Sequence, residues 1–275
     1  MLAPVDRPLI EALDLQAPSR IADIGCGGGA TSIAILRSAP AGSIVHGYDL
    51  SPASIEAARK RNSGVEFQVA DMTTAEPPAQ PYDRLVSRFG VMFFENQTQA
   101  FSNLRRWLAP GGRFAFAVWG SQEENPWRKG VSDVVGQIIE LPPFDPEAPG
   151  PFRYADSGKF AGLLESCGFS NVTVKDWRGS LPIGGGLPAP QAADFAIASI
   201  SSFLERLTEA GPDALNQARR ILTDRLSNRL QNGIVKMEAT VHIVAGAMFP
   251  FPNKPQSKKV FAARFRASNA PTVGP

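Results

Sequence analysis

A mostly parallel α/β sheet with helices on both faces is the fold class this sequence predicts, and three observations predict it. Short runs rich in Val, Ile and Ala recur at residues 20–24, 43–48, 65–69, 83–87 and 113–119, alternating with helix-like segments. The first run turns directly into Gly25-Cys26-Gly27-Gly28-Gly29, followed by a helical segment over 30–39. Acidic residues then stand at the ends of three successive strands: Asp23, Asp49 and Asp71. In such sheets ligands lie beyond the carboxyl ends of the strands.

The elements follow in order. Residues 9–13 predict a short helix before the first strand. Pro40-Ala41-Gly42 breaks the second helix, and Ser51-Pro52 opens the next, with serine as cap and proline at the first helical position. Phe101, Leu104 and Leu108 mark the inner side of a helix that stops at Pro110-Gly111-Gly112. Beyond the fifth strand the pattern predicts helices over 127–141 and from Asp156 or Ser157 to Cys167, where Gly168 ends the latter. A sixth strand over 172–177, two helices near 192–208 and 213–230, and a seventh strand over 239–245 complete the pattern. The expected organisation is one domain over 1–250, with lid-like insertions near 120–158 and 184–234. Residues 251–275 form a basic extension or an edge strand, the latter near 259–265.

With 275 residues, 43% hydrophobic and 20% charged, the chain carries enough apolar surface for one large core, which excludes global disorder. A net charge of +2 is too small to point to nucleic acid. No apolar run approaches the length of a membrane span, and residues 1–16 lack the blocks of a signal peptide. Membrane insertion is therefore not expected, and a cytoplasmic setting is. Cys26 and Cys167 allow one bridge at most, and the place of Cys26 inside the glycine loop favours reduced thiols. The oligomeric state stays open, a homo-oligomer included.

Glycine permits a tight turn and lets a ligand approach the main chain, most of all at Gly25, Gly27 and Gly29. The strand–loop–helix opening suits a ligand containing adenosine. Asp23 meets a cationic amino-acid end, or holds the turn through backbone N–H bonds. Asp49 accepts both ribose hydroxyls, or caps the following helix. Leu50 offers an apolar face to adenine, and Asp71 and the Met72 backbone N–H suit its amino group and a ring nitrogen.

The run 21–29, Asp49, Ala70-Asp71-Met72, the segment from Tyr82-Asp83 to Phe94, and Leu108-Ala109-Pro110-Gly111-Gly112 together resemble class I S-adenosylmethionine-dependent methyltransferases. Residues 87–94, Ser-Arg-Phe-Gly-Val-Met-Phe-Phe, and Asn125-Pro126-Trp127 resemble a bacterial branch related to ubiquinone/menaquinone-type methyltransferases. The resemblance covers residues 9–180 well and the last strand more loosely. It implies a seven-stranded Rossmann-like methyltransferase sheet with helical lid insertions and S-adenosyl-L-methionine as cofactor, whereas the small, aromatic or hydrophobic acceptor is read from the size of Trp119, Trp127 and Tyr154. The implied cofactor set is Asp23, Gly25, Cys26, Gly27, Gly29, Asp49, Leu50, Ala70, Asp71, Met72, Ser87 and Arg88.

Acceptor-side candidates are Arg88, Phe89, Trp119, Trp127, Tyr154 and His242. Phe89, Met92 and Phe93 offer an apolar wall or ordinary packing. The two histidines, His46 and His242, fall in separate strands, form no metal cluster and suit structural roles, so no catalytic base is assigned and no metal is expected. One departure stands out: about twenty residues precede Ile21, fewer than such enzymes usually have. A more open pocket, cover from another region, or an omitted segment are the three readings of that difference. An NAD-dependent oxidoreductase and a noncatalytic adenosine-ligand binding protein are the competing functions.

Overall fold

The computed structural model describes residues 1–248. A 3-10 turn at Ala3–Val5 precedes α1 (Asp6–Ala12), β1 (Arg20–Ile24), α2 (Ala30–Ser38), β2 (Ile44–Asp49), α3 (Pro52–Arg59), β3 (Glu66–Val69) and β4 (Tyr82–Arg88). A second such turn at Val91–Phe93 leads to α4 (Gln97–Trp107) and β5 (Leu108–Trp119). There follow α5 (Pro126–Val135), α6 (Ser157–Ser166), β6 (Ser170–Pro182), a turn at Ile183–Gly185, and α7 (Ala189–Ala198). The last elements are α8 (Ser201–Glu209), α9 (Pro212–Ser227), β7 (Leu230–Gln231) and β8 (Ile234–Ala247).

The sheet runs in the order β3-β2-β1-β4-β5-β8-β6, with β7 pairing β8 alone. Strands β1 to β5 pair in parallel, whereas β8 lies antiparallel between β5 and β6. The expected Rossmann-like sheet is therefore present, with the two-residue β7 as a small addition. Parallel strands covered on both faces must be apolar throughout, as the fully buried Leu85, Val86, Phe114, Ala115 and Phe116 are. Each buried phenylalanine contributes roughly 2–3 kcal/mol of transfer free energy. One hydrophobic cluster runs from Val5 on the N-terminal segment through the sheet to Met248.

Local chemistry sets the element boundaries. The Ser51 side chain accepts the Ser54 N–H at the start of α3, and Asp156, rather than Ser157, caps α6 by accepting the Lys159 N–H. The break expected at Pro110-Gly111-Gly112 survives as an outpouching of β5. Tyr82 pairs with Leu108, but Arg84 pairs with Arg113, so residues 109–112 loop out, with Gly111 at φ 77°.

The helix expected over 127–141 ends earlier, at Val135, because Gly136 and the prolines at 142 and 143 follow. Three helices rather than two fill residues 189–227, since Ser199 and Gly211 interrupt the apolar pattern. The last two strands are each longer than expected, because β6 and β8 form one extended antiparallel pair from Ser170↔Ala247 to Pro182↔Lys236. The edge strand considered near 259–265 lies outside the described residues. No described helix is long and apolar enough to cross a membrane.

Candidate functional site

Two cavities open at the carboxyl ends of the parallel strands, and both are lined by Gly25. The smaller, about 220 Å³, is bounded by Asp23, the loop from Gly25 to Gly28, Thr31, Arg61 and Arg88. The larger, about 470 Å³, is bounded by Asp49, Leu50, Asp71, Met72, Phe89 and Phe93, among others. Its volume lies in the range of small-molecule sites.

Close backbone packing makes the junction. Gly25 has φ +67°, and a Cβ there would lie 2.7 Å from the Gly90 Cα. The chain just beyond β1 and just beyond β4 can therefore approach this closely only with glycine at both positions. At Gly27, φ +53°, a Cβ would meet no atom within 4 Å, so the main chain faces open space. Gly29 differs: it packs against Phe67 and does not line the cavity.

Asp23 is 1% exposed. Its Oδ2 accepts the Ser32 hydroxyl at 2.6 Å, while Oδ1 is buried without a partner. Burial raises its carboxyl to about 6, against the opposing effects of the Ser32 bond and the Arg88 charge. Arg88 does not balance Asp23 alone, because its Nη1 pairs with Asp6 of α1 at 2.8 Å. Asp6 also accepts the Thr31 hydroxyl, and burial raises its carboxyl despite the Arg88 charge. Residues 1–13 thus reach the edge of the smaller cavity, with Val5, Leu9 and Leu13 fully buried beneath. Sequence reading missed Asp6, Thr31, Ser32 and Arg61 here; only the position of Thr31 and Ser32 in the first turn after the glycine loop offered a signal.

In the larger cavity Asp49 accepts the Gly27 N–H at 2.8 Å and the Ser51 N–H at 2.9 Å. It therefore ties the glycine loop to the end of β2 and keeps lone pairs toward the cavity. Asp71 accepts the Thr73 N–H at 2.8 Å through Oδ1. Leu50 is 69% exposed and Met72 is buried. Ser87 lines neither cavity; its hydroxyl donates to the Ile24 carbonyl and accepts the Gly90 and Val91 N–H groups, fastening β4 to β1. Cys26 lines the smaller cavity, with its thiol pushed up by burial.

The consecutive residues Arg88 and Phe89 diverge, one into each cavity. Phe89 adopts φ +64°, a left-handed conformation uncommon outside glycine and concentrated at functional sites. Its ring stacks on Trp119 at 4.1 Å, and Trp119 meets Trp127 edge-on at 5.4 Å.

Tyr154 lines none of the cavities described; it stacks on Phe160 at 3.9 Å, near Phe101. His242 also stands apart from both cavities. Both of its ring nitrogens already meet acceptors: Nδ1 lies 2.7 Å from Asp176 Oδ1 and Nε2 3.1 Å from the Ala155 carbonyl. His46 contacts the Tyr82 hydroxyl and Glu66. Among the described residues, no group of three or more His, Cys, Asp or Glu side chains is placed to hold a metal ion.

Residues 21–112 match the methyltransferase-domain family. A trans-aconitate 2-methyltransferase of Methylobacterium nodulans is 30% identical over 174 residues, 62% of this chain and 64% of that protein. The chain spans from about a third to under two thirds of the length of the first curated relatives it matches. A phosphoethanolamine N-methyltransferase 2 of Haemonchus contortus, solved with phosphomonomethylethanolamine and S-adenosylhomocysteine, superposes with a TM-score of 0.52 at 16% identity, over 90% of this chain and 52% of that one. The [4+2]-cyclase SpnF superposes with the same score at 14% identity, over 90% of this chain and 85% of its own. At these identities the likeness is one of fold, and that fold serves more than one chemistry.

Proposed function

We propose that this chain is a class I S-adenosylmethionine-dependent methyltransferase that moves a methyl group from S-adenosyl-L-methionine to a small aromatic or hydrophobic acceptor, a reading supported by its match to the methyltransferase-domain family over residues 21–112 and by its sheet topology. The carrying observation is the pair of cavities meeting at Gly25: an unpartnered buried carboxylate oxygen lies in one, and apolar and acidic side chains frame the other.

In this reading the α-ammonium of the cofactor satisfies Asp23 Oδ1, because an orphaned buried acceptor is costly until a donor arrives. Asp49 accepts the ribose hydroxyls. Leu50 and Met72 cover the two faces of adenine, and the second oxygen of Asp71 takes its amino group. Phe89, which lines the larger cavity beside Gly25 and Gly90, would then stand beside the transferable methyl group. The acceptor nucleophile attacks the methyl carbon in line, the carbon–sulfur bond breaks, and S-adenosylhomocysteine leaves. Alignment supplies much of the acceleration. Neither histidine lines the two cavities, and no general base is assigned.

Sheet topology weighs against NAD. A dinucleotide fold builds a second mononucleotide half by extending the parallel sheet, whereas here antiparallel β8 occupies that place. The ubiquinone/menaquinone-type resemblance rests on residues 87–94 and 125–127, and the rings of Phe89, Trp119 and Trp127 support an aromatic or hydrophobic acceptor. In this reading its cover is the lid-like insertions near 120–158 and 184–234. The free, buried Cys26 and Cys167 fit a reducing, cytoplasmic setting.

Titration calorimetry with S-adenosylmethionine and with NAD tests the cofactor, and a labelled-methyl screen over phenols, quinols and carboxylic acids tests transfer. Saturable binding of NAD alone defeats the reading; binding of S-adenosylmethionine without transfer to any acceptor leaves only the binding protein.

A further inference from the structure

A third cavity, of about 390 Å³, lies beyond the line of rings Phe89–Trp119–Trp127. Its walls are mostly apolar, with Leu141, Phe144, Phe152, Ile200 and Phe203 among them. Arg128 lines it, with the guanidinium carbon 5.5 Å from the rings of both Trp127 and Phe152. Its Nε is buried without a hydrogen-bond partner, and no carboxylate among the described residues pairs with it. Burial alone lowers its guanidinium to about 10. Arg153 lines the same cavity; Nη1 donates to the Phe94 carbonyl, but its Nε is likewise buried and unpartnered. The lining carboxylate, Asp145, accepts the Glu147 N–H rather than either arginine.

Two arginines therefore line an apolar cavity, each with an unpartnered Nε. Packing between two aromatic rings explains where Arg128 sits. It does not explain a half-buried charge with no anion supplied. Guanidinium presents a planar fork that matches two oxygens of one carboxylate.

We propose that this cavity binds an organic carboxylate with an apolar body, held by Arg128 with Arg153 beside it. The ring line from Phe89 to Trp127 makes the methyl acceptor the source of that carboxylate, a step that rests on the methyl-transfer reading. The carboxylate is an anchor and not the nucleophile, because Trp119 and Trp127 stand between Arg128 and the cofactor edge at Phe89.

The test uses the full chain and four probe pairs: benzoate, trans-cinnamate, 2-naphthoate and octanoate, each against its neutral amide. Calorimetry is run with and without S-adenosylhomocysteine. At least one acid is expected to bind ten-fold or more tightly than its amide, Arg128→Gln to abolish that preference, and Arg128→Lys to restore part of it. Equal binding of acid and amide in all four pairs overturns the site, as does an unchanged preference in Arg128→Gln. The wild-type comparison decides even if the glutamine variant misfolds. Competition between the preferred acid and an acceptor from the labelled-methyl screen supports the acceptor as source; absence of competition overturns that part. Anion preference without S-adenosylmethionine binding keeps this site and removes the transferase reading, and the reverse result removes this site alone.

Discussion

The residues lining the two glycine-loop cavities and those of the helical layer after β5 treat buried polar groups differently. Around the loop nearly every polar group is spent on the fold: Asp49 on two backbone N–H groups, Ser87 on three backbone partners, Arg88 on Asp6. The one orphan of the cofactor cavities is a single oxygen of Asp23. In the later region Trp127, Arg128, Arg153 and Tyr154 all leave buried polar atoms without partners. In the proposed reading the chain itself preorganises the cofactor site, whereas Arg128 and Arg153 leave the third cavity to be completed by what enters it.

The largest expected effect comes from breaking the preorganised half at its junction. Gly25→Ala forces a Cβ to within 2.7 Å of the Gly90 backbone at a φ of +67°. Neither glycine can give way, so S-adenosylmethionine binding should fall more than 100-fold, with a stability loss of about 1–3 kcal/mol. Calorimetry and thermal melts measure the two. Near wild-type affinity would mean that the two cavities do not house one ligand.

Next in size is Asp23→Asn, which keeps the shape and removes the charge. Affinity should drop roughly 10- to 100-fold, as for a hydrogen bond to a charged group. The cofactor-free fold should lose no stability at pH 7, since the change removes a buried charge. In the wild type, the Asp23 carboxyl titrates near 6 when folded but near 3.8 when unfolded. The folded state holds the extra proton between those values, so this group's contribution to cofactor-free stability declines as pH rises from about 4 to about 6. Binding a cationic ammonium runs the other way: affinity is full above about pH 6 and falls toward ten-fold per unit below it. The asparagine variant should show a flat profile across that window. A profile unchanged by the substitution would place the ammonium elsewhere.

These two effects also mark what the sequence made legible. Glycines before a helix and acids at strand ends are local signals, read within a few residues of each other, so the parallel half could be placed almost element by element. Asp6–Arg88 and Asp23–Ser32 were hidden, because one joins residues 82 apart and the other depends on which face of α2 meets β1. The length of β6 and β8 was hidden for a different reason. Their pairing is nonlocal, and only the middle of β8, residues 239–244, is buried without interruption. Tyr154 looked free for an acceptor, but the apolar pattern of α4 and α6 claims its ring for the core.

A smaller effect separates cofactor contact from packing. Leu50 is 69% exposed, so Leu50→Ala should change stability by less than about 0.5 kcal/mol. If adenine covers that side chain, the lost contact should cost about 1 kcal/mol of binding, or five-fold in affinity. Paired melts and titrations on one preparation read both, and an unchanged affinity would move adenine off Leu50.

The smallest effect concerns the His242–Asp176 pair, and it bears on whether the second half hides a base. Asp176 also meets Arg178, which reaches Glu124, so the pair belongs to a network on the β6–β8 surface. The hydrogen bond from His242 holds the Asp176 carboxyl below its ordinary value. Its stabilisation is therefore present above about pH 4 and is lost only as pH falls through that lowered value. Because Asp176 is partly exposed, Asp176→Asn should cost no more than about 1 kcal/mol at pH 7, screened further by salt. Turnover should stay within about two-fold of wild type, since neither residue lines a cofactor cavity and both His242 nitrogens are engaged. A general base contributes roughly 10²–10⁴-fold. A drop of that size in kcat for His242→Gln, with S-adenosylmethionine affinity unchanged, would make His242 the proton acceptor and shift the reacting atom toward β8.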